Sequence, residues 1–245
     1  YITGFIFPKF TTENSIAYLK HTKKLSEKYN EVLYGMPILE SEAIIYKETR
    51  FQELINIKEI IDEYSDIILN IRVGGTDFSS KFGLRRSVDS SIYNVRVVSD
   101  CLIDIINMFS RDGEDYVISA PVWEYFSEDI KSKEVSGLIN EIKSDKENGF
   151  CGKTIIHPSQ IKYVNSLYTV TYEEYIDAKS IISSLEDGGV FKGYGGNKMN
   201  EVKPHFNWAK KVMNRAEIFG VLNEGILYED LYNKDNLSSK SIEVL

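Results

Sequence analysis

Five times between residues 4 and 186 this sequence passes from a short apolar run to a longer stretch with helical spacing, and that alternation constrains the fold most. The apolar runs are Gly4 to Phe7, Val32 to Leu39, Ile67 to Val73, Tyr116 to Ala120 and Lys153 to Ile156. They lack the period-2 pattern of a sheet wetted on one face, so parallel strands covered by helices are expected. The intervening helices are predicted over Thr12 to Tyr29, with Thr12 as N-cap, then Phe51 to Tyr64, Val97 to Phe109 and Lys131 to Asn148. Phe51 to Tyr64 carries Leu54, Ile55, Ile57, Ile60 and Ile61 as a broad apolar stripe. A short helix from Ser159 to Leu167 and a longer one from Tyr172 to Leu185 follow.

The tail changes character. Gly188 to Gly196 holds five glycines in nine residues. Lys198-Met199-Asn200-Glu201 then leads into a predicted helix from Pro204 to Val221, and Glu224 to Leu245 reads as a peripheral helix or partner-binding arm. The expected division is therefore a strand–helix part over 1–186 and a Gly-rich exit with a helical extension over 187–245. Such an extension can lie on a neighbouring copy, so a homo-oligomer with tail exchange is expected.

At 245 residues and 42% hydrophobic the chain can bury one large core. A net charge of −8 argues against nucleic acid, which calls for a basic footprint. Two cysteines, Cys101 and Cys151, make neither a disulfide framework nor a metal-ligand spacing, which fits a reducing, cytoplasmic setting. No apolar run is long enough to span a bilayer. The chain begins at Tyr1, without Met and already strand-like, so an upstream segment is expected.

Chemistry concentrates where strands end. Asn70-Ile71-Arg72-Val73-Gly74-Gly75-Thr76-Asp77 takes a strand into two glycines and a carboxylate. Glu40 follows the second strand in the same way. Parallel strands put both ends on one rim, and two carboxylates with waters suit Mg²⁺. The competing structural roles are a turn cap for Asp77 and a helix N-terminal carboxylate for Glu40. Lys9, closing the first strand, holds an anion or forms a structural ion pair. Arg72 needs a partner if buried, and an anionic substrate would serve. Arg85 and Arg86 read as a solvated loop. His157 is expected to order a strand-to-helix turn, and Cys151 to be packed.

Several pieces together resemble the citrate lyase β-subunit-like branch of the HpcH/HpaI aldolases, and most closely a variant found near tellurite-resistance genes. They are Gly4-Phe5-Ile6-Phe7-Pro8-Lys9, Pro37-Ile38-Leu39-Glu40-Ser41, Gly74-Gly75-Thr76-Asp77-Phe78, and the long ordered block from Gly149 to Ile161. Gly83-Leu84-Arg85-Arg86, Ser119 to Phe126 and Lys198-Met199-Asn200-Glu201 extend the likeness over about residues 4 to 221.

The resemblance implies a TIM (β/α)8 barrel whose first three strands are lacking in this chain. It implies a Mg²⁺-dependent carbon–carbon lyase or aldolase working through a metal-stabilised enolate on a 2-oxo acid or acyl-CoA-type substrate. Glu40 and Asp77 match the family's metal ligands, and the Gly75, Thr76 and Asp77 backbone matches its carboxylate-binding turn. Glu201 stands near the family's acid/base, commonly an Asp reaching a neighbouring subunit's site. Lys9 matches a family lysine, and Arg72 is a candidate for part of the anion grip. The missing arginine-bearing strands and the Glu-for-Asp change leave an alternative, a weakened barrel serving as a binding or assembly subunit.

Overall fold

The computed structural model describes residues 2–114, 116–186 and 188–233. The chain packs as two compact units, one running to Ser159 and the other from Gln160. In the first unit β1 (Gly4–Phe7) leads through α1 (Ser15–Tyr29) to β2 (Tyr34–Leu39). A short α2 (Glu42–Ile45) and a longer α3 (Lys47–Glu63) lead to β3 (Ile71–Val73), and a six-residue α4 (Gly75–Ser80) opens directly from its end. Then come α5 (Arg96–Phe109), β4 (Ile118–Ala120), α6 (Lys133–Glu147) and β5 (Gly152–Lys153).

The five strands pair in sequence order, all parallel. Consecutive parallel strands joined by helices are how a barrel of this class is wound. The register sets Ile38 beside Arg72, Arg72 beside Ser119, and Ser119 beside Gly152. These four form one row on the less buried face of the sheet, while Leu39, Ile71, Val73, Ile118 and Ala120 point into the core. That core closes with Leu54, Ile57 and Ile61 of α3 and Val98, Cys101, Leu102, Ile105 and Phe109 of α5, all nearly solvent-free. Burying each such side chain contributes about 1.5–3 kcal/mol, which is why short strands of low intrinsic stability persist here. Burial also pushes the Cys101 thiol up to about 12, so it is inert packing and not a nucleophile.

Helix starts show where local reading falls short. Thr12 is not the cap of α1. Its hydroxyl and backbone N–H both reach the Glu53 carboxylate at 2.8 Å, and the helix begins at Ser15. A long-range carboxylate outcompetes the local capping role. The α6 start is local: Ser132 accepts from the Val135 N–H.

In the second unit α7 (Ile161–Tyr168) and α8 (Tyr172–Ser183) precede the glycine-rich stretch, which forms an antiparallel pair, β6 (Val190–Lys192) and β7 (Met199–Glu201). Composition marked this stretch only as a Gly-rich exit and did not foresee the hairpin. Glycines fill its turn, and Lys198 ties it to α8 through Glu173 and Asp177 at 2.7 and 2.8 Å. Next, α9 (Val202–Phe219) packs Ala209 and Val212 on Ala178 and Ile181 of α8. The short α10 (Tyr228–Tyr232) sets Tyr232 against Tyr163 of α7. The rest of the expected C-terminal arm lies outside the described residues.

Candidate active site

Because all five strands run the same way, their C-terminal ends share one rim, and the site is assembled from the first residues past β1, β2 and β3. Glu40 follows β2 and is only 9% exposed. The Gly74 N–H donates to the Leu39 carbonyl at 3.0 Å, locking the end of β3 against the end of β2. Gly74 has to be glycine. A Cβ there would stand 2.4 Å from the Glu40 Cβ and 2.5 Å from its Oε2. The first turn of α4 then presents Asp77, 41% exposed, and the Gly75, Thr76 and Asp77 N–H groups, which have no acceptor one turn earlier in the helix.

Lys9 completes the group. Its N–H donates to Glu40 Oε1 at 2.8 Å and its Nζ pairs with Asp77 Oδ1 at 2.8 Å. The backbone there has φ of 49°, a conformation that non-glycine residues rarely adopt and that tends to mark functional positions. Asn14 holds it by donating from Nδ2 to the Lys9 carbonyl.

Electrostatics follow from the crowding. Burial raises the Glu40 carboxyl above its ordinary value. The Lys9 N–H opposes the rise, whereas the Asp77 charge and a hydrogen bond between the two acids add to it. The Lys9 ammonium is raised by its hydrogen bond to Asp77. Arg72, on β3 and half-buried, is lowered by burial and partly restored by the Glu40 charge. Its Nε donates to Thr154 Oγ1 at 3.3 Å, and among the described residues no carboxylate lies within ion-pair distance.

Lys9, Glu40, Arg72, Gly75, Thr76 and Asp77 are thus gathered on one rim. Glu201 belongs to the second unit, exposed at the end of β7, with its N–H bonded to His205 Nδ1 at 2.9 Å. His157 does what was expected of it: Nδ1 lies 2.9 Å from Ser159 Oγ and accepts from the Ser159 N–H. Its ring also stacks on Phe126 at 4.1 Å.

Among the described residues no three His, Cys, Asp or Glu side chains cluster as a ready-made metal cage. The donor set nevertheless fits Mg²⁺, which takes one or two carboxylates and keeps waters. Lys9 bridges the two acids, its N–H on Glu40 and its ammonium on Asp77 where a cation would stand.

Sequence reasoning missed a second charge cluster. Arg86, expected in a solvated loop, is 5% exposed and reaches Glu124 at 3.0 Å, Glu141 and the Val122 carbonyl. Lys153 Nζ holds Glu141 at 2.9 Å and Asp145 at 2.8 Å, with all three side chains fully buried. The Ile92 N–H donates to Glu141, and the Tyr93 hydroxyl to Asp145. A signal was present: Val135, Leu138 and Ile142 make the inner stripe of α6, and the same spacing continues onto Asp145. The cluster touches the rim through Thr76, whose hydroxyl donates to Glu124 at 2.7 Å.

A family model described as a C–C bond lyase of the TIM-barrel fold matches residues 1–221. Citrate lyase subunit beta of Escherichia coli K12, and the same subunit from strain CFT073, are 30% identical over 92 residues. That match covers 36% of this chain and spans only 30% of the length of those relatives. A citrate lyase structure from Burkholderia xenovorans LB400 superposes with a TM-score of 0.64 at 14% identity, covering 91% of this chain and 66% of that one. Protein CitE from Mycobacterium tuberculosis, in complex with magnesium, acetoacetate and coenzyme A, superposes with a TM-score of 0.53 at 20% identity, covering 88% and 68%. The chain belongs to the C–C bond lyase family of the TIM-barrel fold and is related to citrate lyase β subunits.

Proposed function

We propose that this member of the C–C bond lyase family is a Mg²⁺-dependent lyase or aldolase acting on a 2-oxo acid or an acyl-CoA-type thioester. The observation that carries the reading is the placement of Glu40 and Asp77 on one rim, both joined to Lys9, with Glu40 buried against Gly74 where no larger residue fits. The magnesium named with the M. tuberculosis protein supports it.

Glu40 and Asp77 hold the ion. When bound, Mg²⁺ supplies Lewis-acid charge to the carbonyl oxygen on which negative charge develops as the carbon–carbon bond breaks. The protein's own groups do the rest. The Gly75, Thr76 and Asp77 N–H groups receive the substrate carboxylate and orient the bond to be broken. The Lys9 ammonium fixes Asp77 and offers positive charge at the mouth of the site. Arg72 draws the anionic substrate inward. The Glu201 carboxylate, contributed from a neighbouring copy in a tail-exchanged oligomer, moves the proton at the carbon released.

A second reading, a barrel retained as a binding or assembly subunit, is favoured by one observation: Lys9 already neutralises Asp77. Calorimetric Mg²⁺ titration with and without pyruvate or oxaloacetate separates the two. Uptake that strengthens with the oxo acid and disappears in Asp77→Ala, together with turnover, is expected of the lyase. No Mg²⁺ uptake under either condition would leave the assembly reading.

A further inference from the structure

The first turn of α4 carries Asp77, yet α4 has little of its own to keep that turn in place. It is six residues long and starts without a side-chain cap, and so short a helix is marginal unless outside contacts support it. Phe78 anchors one face in the core. What remains to be fixed is how far the exposed side of the turn can swing, and Thr76 lies on that side.

The loop after β4 supplies that restraint. Pro121 packs so closely on Gly75 that a Cβ there would stand 2.8 Å from the proline Cβ. Further along, Glu124 Oε1 accepts from the Thr76 hydroxyl at 2.7 Å, and Oε2 accepts from Arg86 Nε at 3.0 Å. Arg86 is itself immobilised. Its other nitrogens donate to Glu141 and to the Val122 carbonyl, and its own carbonyl accepts from the Tyr125 hydroxyl at 2.9 Å. The guanidinium also stands 4.8 Å from the ring of the buried Trp123, which fills the space left by the missing side chain of Gly137. Hydrogen bonds to an ionised partner are stronger and shorter than neutral ones, so Glu124 is set firmly before it meets Thr76.

Strand order puts this restraint opposite Lys9. In the sheet β1 and β4 lie on opposite flanks of β3, from whose end α4 opens. Lys9 therefore restrains Asp77 from the β1 flank, and Glu124 restrains the residue before it from the β4 flank. A single hydrogen bond at an exposed hydroxyl adds little to global stability, so its consequence here is one of direction. Resting on the lyase reading above, we infer that Glu124 is a positioning residue: acting through Thr76 and backed by Arg86, it sets the orientation in which Asp77 meets the metal ion.

The test is calorimetric Mg²⁺ titration of the full chain in the presence of oxaloacetate, beside urea unfolding of each variant. Thr76→Val keeps the shape, removes the donor and leaves Glu124 paired with Arg86. It is expected to weaken Mg²⁺ uptake about fivefold or more, with the urea midpoint within about 0.3 M of wild type. Thr76→Ser keeps the hydroxyl and is expected to bind within about twofold of wild type. Because Glu124 also carries charge, Glu124→Gln is measured alone and together with Thr76→Val, and its effect on uptake is expected to shrink to within about twofold in the double variant. Additive effects overturn the inference, since Glu124 would then act by charge alone. It is equally overturned by unchanged uptake in Thr76→Val, by a Thr76→Ser variant as weak as Thr76→Val, or by a loss of uptake that tracks a fallen urea midpoint. The lyase reading fails separately, through a wild type that takes up no Mg²⁺ or an Asp77→Ala variant that takes it up equally well, and that outcome sinks both.

Discussion

Two charge clusters lie in the same unit, and they differ in how completely they are satisfied. Behind the sheet, Arg86, Glu141, Lys153 and Asp145 are sealed from water, and each cation meets carboxylates directly. On the rim, Lys9 is exposed and Asp77 partly so, Glu40 is buried with a second acid nearby, and Arg72 is half-buried with, among the described residues, no carboxylate against it. A sealed and balanced cluster has nothing left to offer a ligand. An open cluster with unmatched groups is arranged for something that arrives later. Proximity of charges is common to both; what separates architecture from function here is the unfilled valence.

The contrast can be broken most forcefully at Glu141. Truncation in Glu141→Ala strips Arg86 and Lys153 of a shared buried partner and should cost about 3–5 kcal/mol in urea unfolding. A loss below about 1 kcal/mol would show that the sealed cluster is not structural. Asp77→Ala should do the reverse, leaving stability within about 1 kcal/mol while removing Mg²⁺ uptake and about a hundredfold or more of turnover.

Acid sharpens the comparison at the next level. Burial pushes the Asp145 carboxyl up to about 6, with the neighbouring Glu141 charge adding and Lys153 opposing. A carboxyl whose folded value lies above its unfolded one binds protons more tightly when folded, so its contribution falls as pH rises from about 4 to about 6. Glu141, held below its ordinary value despite burial by Lys153 and Arg86, contributes in the opposite sense: its stabilisation is present above about 4.5 and fades as pH falls. Asp145→Asn removes the first effect alone. The stability difference between wild type and variant should therefore shift against wild type by on the order of 2 kcal/mol across that window, read from unfolding at several pH values. A flat difference would place Asp145 in an ordinary carboxylate environment.

The smallest effect is expected at Lys9. Its pair with Asp77 is exposed on both sides, so Lys9→Met should change stability by less than about 1 kcal/mol. If Lys9 instead proved a stability determinant on the scale of Glu141, the distinction between the two clusters would lose its force.

Much of this was legible before the structure. The strand–helix alternation was readable because short apolar runs interrupt helical spacing. The strands after the first are nevertheless shorter than expected, the fifth is Gly152–Lys153 where Lys153 to Ile156 was expected, and one face of the sheet carries Arg72 and Ser119. Glu40 and Asp77 were readable because each closes such a strand. Thr12, Arg86 and the hairpin of β6 and β7 were not, and for a common reason. Thr12 left its capping role for Glu53, forty-one residues away; Arg86 was drawn inward by Glu124 and Glu141; and a glycine-rich stretch paired its own ends.

By itself, then, the sequence determined the parallel strand–helix architecture and placed two carboxylates on one rim, since both depend on local hydrophobic patterning and chain direction. Only the tertiary structure decided which charges are spent and which remain free, because partners dozens of residues apart meet only once the sheet and helices have packed.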